Sequence, residues 1–579
     1  MHIANPEVAS VFSQVADLLE IRGDNPFRIR AYRNAARTIN NLPGSIETMV
    51  DEKRDLEELP GIGADLAGKI AEIVHTGTCS VREALRREMP STVQELLRVP
   101  GLGPKRVRRL YGERHIQTLE QLQQAARAGQ IADVPGFGKR IEQRILQALE
   151  ARLKKKPRIS IAEAERAAQS LMAYLKAYAG TKQVEVGGSY RRRQETVGDL
   201  DILASASNPA QLIAHFARFD GVARMQAQGR TRASAVLRQG LQVDLRAVAD
   251  VSFGAALHYF TGSKAHNIAV RMLAQEKGWK LNEYGLFSGM RRIAGETEES
   301  VFKALGLPYI EPELRENRGE IAAAKAGTLP RLIELSDLKG DLHAHTTASD
   351  GQNSLREMAL AARRLGFSYL GITDHASRPG APHSLDADGL ARQMDEIDRL
   401  NAELTGITLL KGIEVDIEEH GRLALPDAVL ERLDLVIGAV HSHFALSKER
   451  QTERIMRAMD HPCFSMLAHP SGRLIGERDA YAVDMPRIIG HAKRRACHLE
   501  LDAQPQRLDL NDIYCRMAKE EGVLLGIDSD AHGTAGFGDL RFGIGQARRG
   551  WLEKTDVLNA LPLERLRKQL QMKPGGREP

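Results

Sequence analysis

Hydrophobic spacing changes along this chain, and the changes mark out its parts. As far as Leu153 the apolar positions follow a helical pattern. Three similar turns interrupt it: Leu59-Pro-Gly61-Ile-Gly63, Val99-Pro-Gly101-Leu-Gly103-Pro-Lys105 and Val134-Pro-Gly136-Phe-Gly138-Lys139. Their starts lie 40 and then 35 residues apart by sequence number, which fits internal duplication. The run Leu153-Lys-Lys-Lys-Pro157-Arg158 closes the region, because Pro157 would stop a helix. Strand-like stretches follow. Val184-Glu-Val-Gly-Gly188-Ser189-Tyr190-Arg191-Arg192 is β-rich and ends in a glycine turn. Asp199 and Asp201 alternate with apolar residues in Gly198-Asp199-Leu200-Asp201-Ile-Leu, so both carboxylates leave one face of a strand. Leu241-Gln-Val-Asp244-Leu-Arg246 is a separate strand carrying a third. Residues 311–337 are charged and Ala-rich with little strand pattern, as expected of a linker with some helix. From Leu338 on, apolar runs such as Tyr369–Thr373 and Leu435–Val440 alternate with helical runs such as Ser354–Gly366 and Leu390–Leu404, the rhythm of a βα barrel.

A chain of 579 residues suggests several domains, and its 42% hydrophobic and 27% charged content is that of a globular protein. No stretch reaches the ~18 consecutive apolar residues of a spanning helix, so no membrane association is expected. The beginning, Met-His-Ile-Ala-Asn-Pro, lacks the basic and apolar segments of a secretion signal. Cys79, Cys463, Cys497 and Cys515 are scattered, which fits a reducing cytosol. The net charge of +5 permits nucleic-acid binding without establishing it.

Candidate chemistry is concentrated at the back. Twelve of the 18 histidines lie from His343 to His532. Nine residues of ligand type, His343, His345, Asp350, His375, Glu414, His441, His469, Asp530 and His532, mostly follow apolar runs and so fall where buried strands end. Such a ring is the layout of a barrel metal site. Mixed imidazole and carboxylate suits Zn, Mn or Fe better than Ca or Mg alone. In the middle, Asp199, Asp201 and Asp244 with substrate phosphates would hold two hard cations for phosphoryl transfer, with the Gly-Ser turn and Arg192 holding leaving phosphates. At the front, the glycines of each turn open a helix whose first N–H groups suit a phosphate. Arg98, Lys105, Arg106, Arg108, Arg109 and Arg114 surround the second turn. Such contacts would grip a phosphate backbone without reading a sequence.

The three turns resemble helix-hairpin-helix DNA-binding motifs, which implies backbone contacts at Gly61, Gly63, Gly101, Gly103, Lys105, Arg108, Gly136 and Gly138. Gly188-Ser189, Asp199-x-Asp201, Asp244, Tyr259-Phe260-Thr261-Gly262-Ser263, Asn267, Arg271 and Asn282-Glu283-Tyr284 together resemble the family X DNA polymerases over roughly residues 1–310. The resemblance implies that Asp199 and Asp201 bind both metals, Mg²⁺ or Mn²⁺, and that Asp244 binds the catalytic one and helps activate the primer 3′-hydroxyl. It places Ser189 and Arg192 at the triphosphate, Tyr259 and Phe260 beside the sugar, Gly188 and Gly262 among the nucleotide-binding residues, and Asn267 and Arg271 at the minor groove. Gln242 stands where the animal pattern has Arg, and Ile268 where it has Lys. Lys69 and Tyr32 match positions of the abasic-sugar lyase, Lys69 being the Schiff-base amine, while Arg28 and Asp65 replace two supporting lysines.

Residues 338–570 resemble the PHP (polymerase and histidinol phosphatase) domain, a distorted seven-stranded βα barrel, with all nine ligand positions intact. The resemblance implies up to three ions, Mn²⁺ and/or Zn²⁺, and phosphoester hydrolysis. Asp374, next to His375 in sequence, is expected to orient it, and His443 is unassigned. Both halves in this order resemble bacterial family X polymerases with a C-terminal PHP domain. The expected fold is multidomain: a helical lyase-like domain over 1–85, a helix-hairpin-helix DNA-binding domain over 86–156, an α+β nucleotidyltransferase palm over 157–248, a nucleotide-selecting subdomain over 249–310, a linker over 311–337 and the (β/α)7 PHP barrel over 338–572. The expected function is gap-filling DNA synthesis from dNTPs on gapped or primer-template DNA. A 3′→5′ exonuclease, with AP-endonuclease or 3′-phosphatase activity open, accompanies it in a bacterial cytosolic monomer. Two alternatives are a metallophosphoesterase with a DNA-tethering front half, and a polymerase with a purely structural PHP domain.

Overall fold

A computed structural model describes residues 5–40, 42, 46–88, 91–97, 99, 102–153, 158–376 and 384–571. The chain divides into two compact units, Met1–Lys155 and Lys156–Pro579. Lys154–Pro157, Arg98 and Gly101 lie outside the described residues.

The first unit is helical. Its longest helices, Asn5–Arg22, Pro26–Asn40, Ala64–Thr76, Pro104–Arg114 and Lys139–Leu153, share one apolar core built on residues such as Phe12, Leu19, Ile70, Ile73, Val107, Leu110 and Ile145. Gly61, Gly63, Gly103, Gly136 and Gly138 of the Pro-Gly turns are exposed.

The second unit opens with β1 (Ile159–Ser160) and the helix Ile161–Lys176, started by a Ser160–Glu163 capping box. Next come β2 (Thr181–Val186), β3 (Thr196–Val197), β4 (Asp199–Ala206), β5 (Val222–Gln228), β6 (Arg232–Leu237) and β7 (Gln242–Ala247). β1 pairs with β3; the rest form a sheet in the order β2-β4-β7-β6-β5. Only β4 and β7 in this sheet run parallel, and their register sets Asp201 opposite Asp244 and Asp199 opposite Gln242. Alternation buries Leu200, Ile202, Val243 and Leu245 and turns the three carboxylates to the other face. The helices Phe253–Thr261, Lys264–Glu276 and Glu298–Leu305 then surround a small antiparallel sheet of β8 (Lys280–Asn282), β9 (Gly285–Ser288) and β10 (Arg291–Ala294).

The last part is a parallel barrel: β11 (Gly340–Asp341), β12 (Tyr369–Ile372), β13 (Thr408–Asp416), β14 (Leu435–Ala439), β15 (Met466–Leu467), β16 (His498–Asp502) and β17 (Leu525–Asp528), paired in chain order. His345 N–H donates to Ala531 O at 2.9 Å, tying the first strand's end to the last. Leu342, Tyr369, Leu410, Ile437 and Met466 fill its interior. The barrel expected from the βα rhythm, with the seven strands that the resemblance to PHP domains implies, is therefore present.

Residues 311–337, expected as a linker with some helix, hold the helix Glu320–Ala326 and are packed: Leu314, Ala324 and Leu332 lie in the same core as Trp551 from beyond the last barrel strand. Leu508 and Phe542 of the barrel likewise enter the core beneath the β2–β7 sheet.

Candidate functional site

In the β2–β7 sheet, glycine permits a close approach. Gly187 N–H donates to Asp201 O at 2.7 Å. A side chain at Gly188, whose φ is +64°, would stand 2.8 Å from Asp201 Oδ2, and one at Gly187 would crowd Phe260 O at 3.2 Å. The Gly-Ser turn is thus wedged between the acidic strand and the Tyr259-Phe260 helix end. Asp244 accepts from Ser234 Oγ and from Gln242 Nε2 (2.7 Å). Arg192 Nε donates to Glu316 at 2.9 Å and Nη1 to Thr261 O at 2.8 Å. Arg191 instead joins Glu298, which is buried. Burial alone would raise the Glu298 carboxyl, but Arg315 and Arg191 outweigh it and lower the group to about 2. Asn267 Nδ2 donates to Tyr259 O and Gly262 O, clamping the Tyr-Phe-Thr-Gly-Ser turn, and Arg271 Nε donates to Asn267 O. Arg246 lies 4.5 Å from the Phe260 ring centre. Ile268, Met272 and Tyr284 are exposed. Sequence reasoning missed Gly187, Ser234 and Arg246; for Gly187 the doubled glycine was the available signal.

In the barrel, all nine predicted ligands converge at the strand ends. Glu414 is the hub: its oxygens lie 2.9 Å from His375 Nδ1, 3.1 Å from His469 Nε2, 3.3 Å from His441 Nε2, 3.4 Å from His343 Nε2 and 3.6 Å from His345 Nε2. Asp350 serves His375 and His532 at 3.5 and 3.3 Å, and Asp530 serves His345 at 3.0 Å. Three overlapping groups could each hold an ion: His345–Asp350–His375–His532, His343–His345–Asp530 and His375–Glu414–His441. Burial, the largest influence, disfavours charge on every ring. Even so, Glu414 and Asp350 raise His375 to about 10, and carboxylates raise His343, His441 and His532. His345 is lowered, and His469 falls to about 4. The donors fit metal ions, because Nε2 of His343 and both ring nitrogens of His345 are buried without a hydrogen bond, a rare state for polar atoms unless something else binds them.

Supporting residues orient this ring. Glu500 Oε1 lies 2.6 Å from His343 Nδ1 while Glu500 Oε2 accepts from His469 N–H, also at 2.6 Å. Asp416 holds His441 Nδ1 at 2.6 Å. Asp528 and Asp341 accept the backbone N–H groups of Leu342 and His343. Asp374, expected to orient His375, instead accepts from Thr346 N–H, Thr346 Oγ1 and Gln393 Nε2. His443 is exposed, with Glu419 at 3.9 Å. Glu500 and Asp416 were missed, although Leu499-Glu-Leu-Asp502 repeats the acidic alternation of Asp199–Asp201.

In the helical unit, Gly63 and Gly103 are the residues before the helices Ala64–Thr76 and Pro104–Arg114, and no side chain caps either helix start. Gly61, Gly136 and Gly138 have φ of +78°, +86° and +77°, a region open to glycine. Arg106 Nε donates to Gly136 O at 3.1 Å and Arg109 Nη1 to Pro135 O, so two of the predicted phosphate contacts also brace the third turn. Lys105 and Arg108 line a groove of about 950 Å³ with Arg22, Arg30 and Arg33 from the first two helices. Lys69 Nζ donates to Asp65 one turn earlier, and Tyr32 is buried.

Comparison with known proteins agrees with this anatomy. Residues 158–247 match the DNA polymerase beta palm, 256–316 the DNA polymerase beta thumb and 341–525 the PHP domain. Residues 3–79 match a helix-hairpin-helix domain and 93–151 a SAM-like helix-hairpin-helix tandem. The chain is 36% identical over 565 residues to the DNA polymerase/3'-5' exonuclease PolX of Bacillus subtilis (strain 168), covering 96% of this chain and 98% of that protein. It is 31% identical over 204 residues to a "probable phosphatase" of Caldanaerobacter subterraneus, covering 33% of this chain and 75% of that protein. It is 28% identical over 346 residues to DNA polymerase lambda of Arabidopsis thaliana, covering 54% of this chain and 62% of that one.

Proposed function

The chain belongs to the family X DNA polymerases that carry a C-terminal PHP domain, and on that premise we propose that it fills short DNA gaps from dNTPs and trims DNA 3′ ends. The observation that carries the reading is the completeness of both donor sets in one chain: three carboxylates on β4 and β7, and six imidazoles gathered around Glu414, Asp350 and Asp530 in the barrel. Divalent ions, Mg²⁺ or Mn²⁺ at the palm and up to three Mn²⁺ and/or Zn²⁺ at the barrel, supply nucleophile activation and stabilisation of the leaving oxygen when bound. Asp199, Asp201 and Asp244 would hold them at the palm, and the nine barrel residues at the other site.

In the synthetic step, Gly188, Ser189 and Arg192 hold the triphosphate, and Arg192 exchanges Glu316 for phosphate oxygens. Tyr259, Phe260 and Gly262 wall the sugar, held by Asn267, while Arg271 faces the minor groove. Asp244, oriented by Gln242, faces the primer 3′-hydroxyl and takes up its proton. In the hydrolytic step, Glu500 and Asp416 fix the rings of His343 and His441. The hairpin glycines, Lys105 and Arg108 grip the DNA backbone. Lys69 is a candidate lyase nucleophile once Asp65 releases it. The protein works as a monomer in the bacterial cytosol; among the described residues no helix is long and apolar enough to cross a membrane.

The test is reciprocal. Asp201→Ala is expected to abolish extension of a gapped primer and leave Mn²⁺-dependent degradation of a labelled strand intact, and His343→Ala to do the reverse. Extension at wild-type rate by Asp201→Ala, or equal degradation by wild type and His343→Ala, would sink the corresponding half. Lys105→Ala/Arg108→Ala should flatten the salt dependence of DNA affinity by roughly one unit of slope per lost contact; an unchanged slope removes the hairpin assignment.

A further inference from the structure

The turn read above as the triphosphate site is held from two sides. From the palm side, the Arg192 guanidinium is shared between Glu316 Oε1 (2.9 Å) and Thr261 O (2.8 Å). From the other side comes Arg549, the last residue of the helix Leu540–Arg549 that packs on the barrel. Arg549 is buried, with 3% of its side chain exposed. Its Nη1 donates to Arg192 O at 2.8 Å and to Glu316 Oε1 at 2.9 Å, and its Nη2 donates to Asp512 Oδ2 at 2.7 Å. Gln194 Nε2 donates to the same Glu316 oxygen at 2.7 Å.

We propose that Arg549, a residue of the PHP part, is a positioning residue for nucleotide binding by the polymerase part. The inference rests on the reading of Arg192 as a triphosphate contact. Two physical effects follow from the geometry. Arg549 fixes the backbone of Arg192 through its carbonyl, which sets where the side chain begins. Arg549 also competes with Arg192 for one carboxylate oxygen. A dNTP must draw the Arg192 guanidinium away from Glu316, and that release leaves a carboxylate that has little solvent around it. With Arg549 and Gln194 still donating to it, the carboxylate remains paired after Arg192 leaves. Without Arg549, Glu316 has one fewer cation and clasps Arg192 more tightly, so nucleotide and carboxylate compete for the same guanidinium.

The neighbouring contacts put this link on a firm seat. Arg541 Nε donates to Glu165 at 2.9 Å, a side chain at Gly545 would touch Arg193 Cβ at 3.2 Å, and Arg473 Nη2 donates to Glu195 at 2.8 Å. The helix Leu540–Arg549 therefore lies along the palm segment that carries the Gly-Ser turn. Arg549 differs from these contacts in reaching both the backbone of Arg192 and its counter-ion.

The experiment is steady-state gap filling by the full-length protein with Mg²⁺, varying dNTP, for wild type, Arg549→Ala, Glu316→Gln, Arg549→Ala/Glu316→Gln and Arg192→Ala. Arg549→Ala is expected to raise KM for dNTP about tenfold, with kcat changed less than threefold. Adding Glu316→Gln should recover most of that rise, because a neutral amide competes weakly for Arg192. A structural seam predicts the opposite: removing a second seam contact makes the double variant worse. Unchanged KM in Arg549→Ala while Arg192→Ala raises it overturns the inference alone, as does a double variant worse than the single. Unchanged KM in Arg192→Ala instead overturns the reading of Arg192 on which the inference rests. Should Arg549→Ala fail to fold, Arg549→Gln keeps the neutral change and the same outcomes, and Arg549→Lys should retain KM within about threefold of wild type.

Discussion

In the palm, like charges stand side by side; in the barrel, opposite charges interleave. Asp201 faces Asp244 across adjacent parallel strands, and Asp199 lies two residues away on the same face. Carboxylates opposed in register repel, so this sheet carries an unfavourable arrangement that cations and nucleotide would relieve. The barrel sets six imidazoles around Glu414, Asp350 and Asp530, and its carboxylates draw positive charge onto four of the rings. The difference is one of preparation. The barrel ring is preorganised by carboxylate–imidazole pairs, whereas in the palm neutral donors orient Asp244 opposite a like charge that a bound cation would offset.

The largest expected effects separate the two sites by chemistry. Glu414 touches five rings, so Glu414→Ala should cost roughly 10²–10³-fold in phosphodiester hydrolysis, the loss that follows removal of one preorganised charge-stabilising group. Metal analysis of the purified protein should fall in parallel, with gap filling retained. A variant that keeps its full metal content would show that Glu414 is not the hub.

Stability should separate them next. Measured as thermal unfolding in excess chelator, Glu414→Ala leaves buried rings without their counter-ion and should lose about 3–5 kcal/mol. Asp201→Ala breaks no carboxylate–imidazole pair and should change stability by no more than about 1 kcal/mol. A clear destabilisation by Asp201→Ala would mean that the palm carboxylates are tied down as firmly as those of the barrel, and the contrast would fail.

How much of this was legible in the sequence follows from the same physics. The nine ligands could be read because strongly polar residue types ended apolar runs, as at His375 and His441, where a bland explanation is hard to sustain. The three palm carboxylates could be read from period-two alternation. Glu500 could not be singled out, because its role depends on His343 lying across the barrel, 157 positions away. The segment 311–337 looked like a charged linker because local pattern equates charge with exposure. Its charges are in fact paired at long range: Glu313 with Arg548, Glu316 with Arg549, Arg318 with Asp512 and Glu320 with His266. Arg549 was equally invisible, being one of two consecutive arginines at the end of an amphipathic helix.

Support residues give a finer comparison. Glu500 grips His343 Nδ1 at 2.6 Å in full burial and also receives His469 N–H. Glu500→Gln keeps the shape, removes the charge and should cost 10- to 100-fold in metal affinity or hydrolysis, the usual range for partners of metal-binding imidazoles. Titration with Mn²⁺ checks it. An affinity within twofold of wild type would show that His343 is held by packing alone.

The smallest effect is expected at Gln242. Its Nε2 donates to Asp244 Oδ2 at 2.7 Å on a half-buried face, and Ser234 Oγ donates to the other oxygen. Two donors share the task of orienting one carboxylate, so losing either leaves the other in place. A hydrogen bond to a charged group contributes about 1.5–3 kcal/mol when it is the sole partner; with a second donor and solvent nearby, only part of that is felt. Gln242→Leu should therefore slow single-turnover dNTP insertion roughly two- to tenfold, and Gln242→Arg, which restores a cationic donor at the same strand position, should match or exceed wild type. Hydrolysis by the barrel should not change in either variant. A loss above 100-fold in Gln242→Leu would place this one contact on the level of Glu500, and the palm would then have to be described as preorganised by the protein rather than by its substrate.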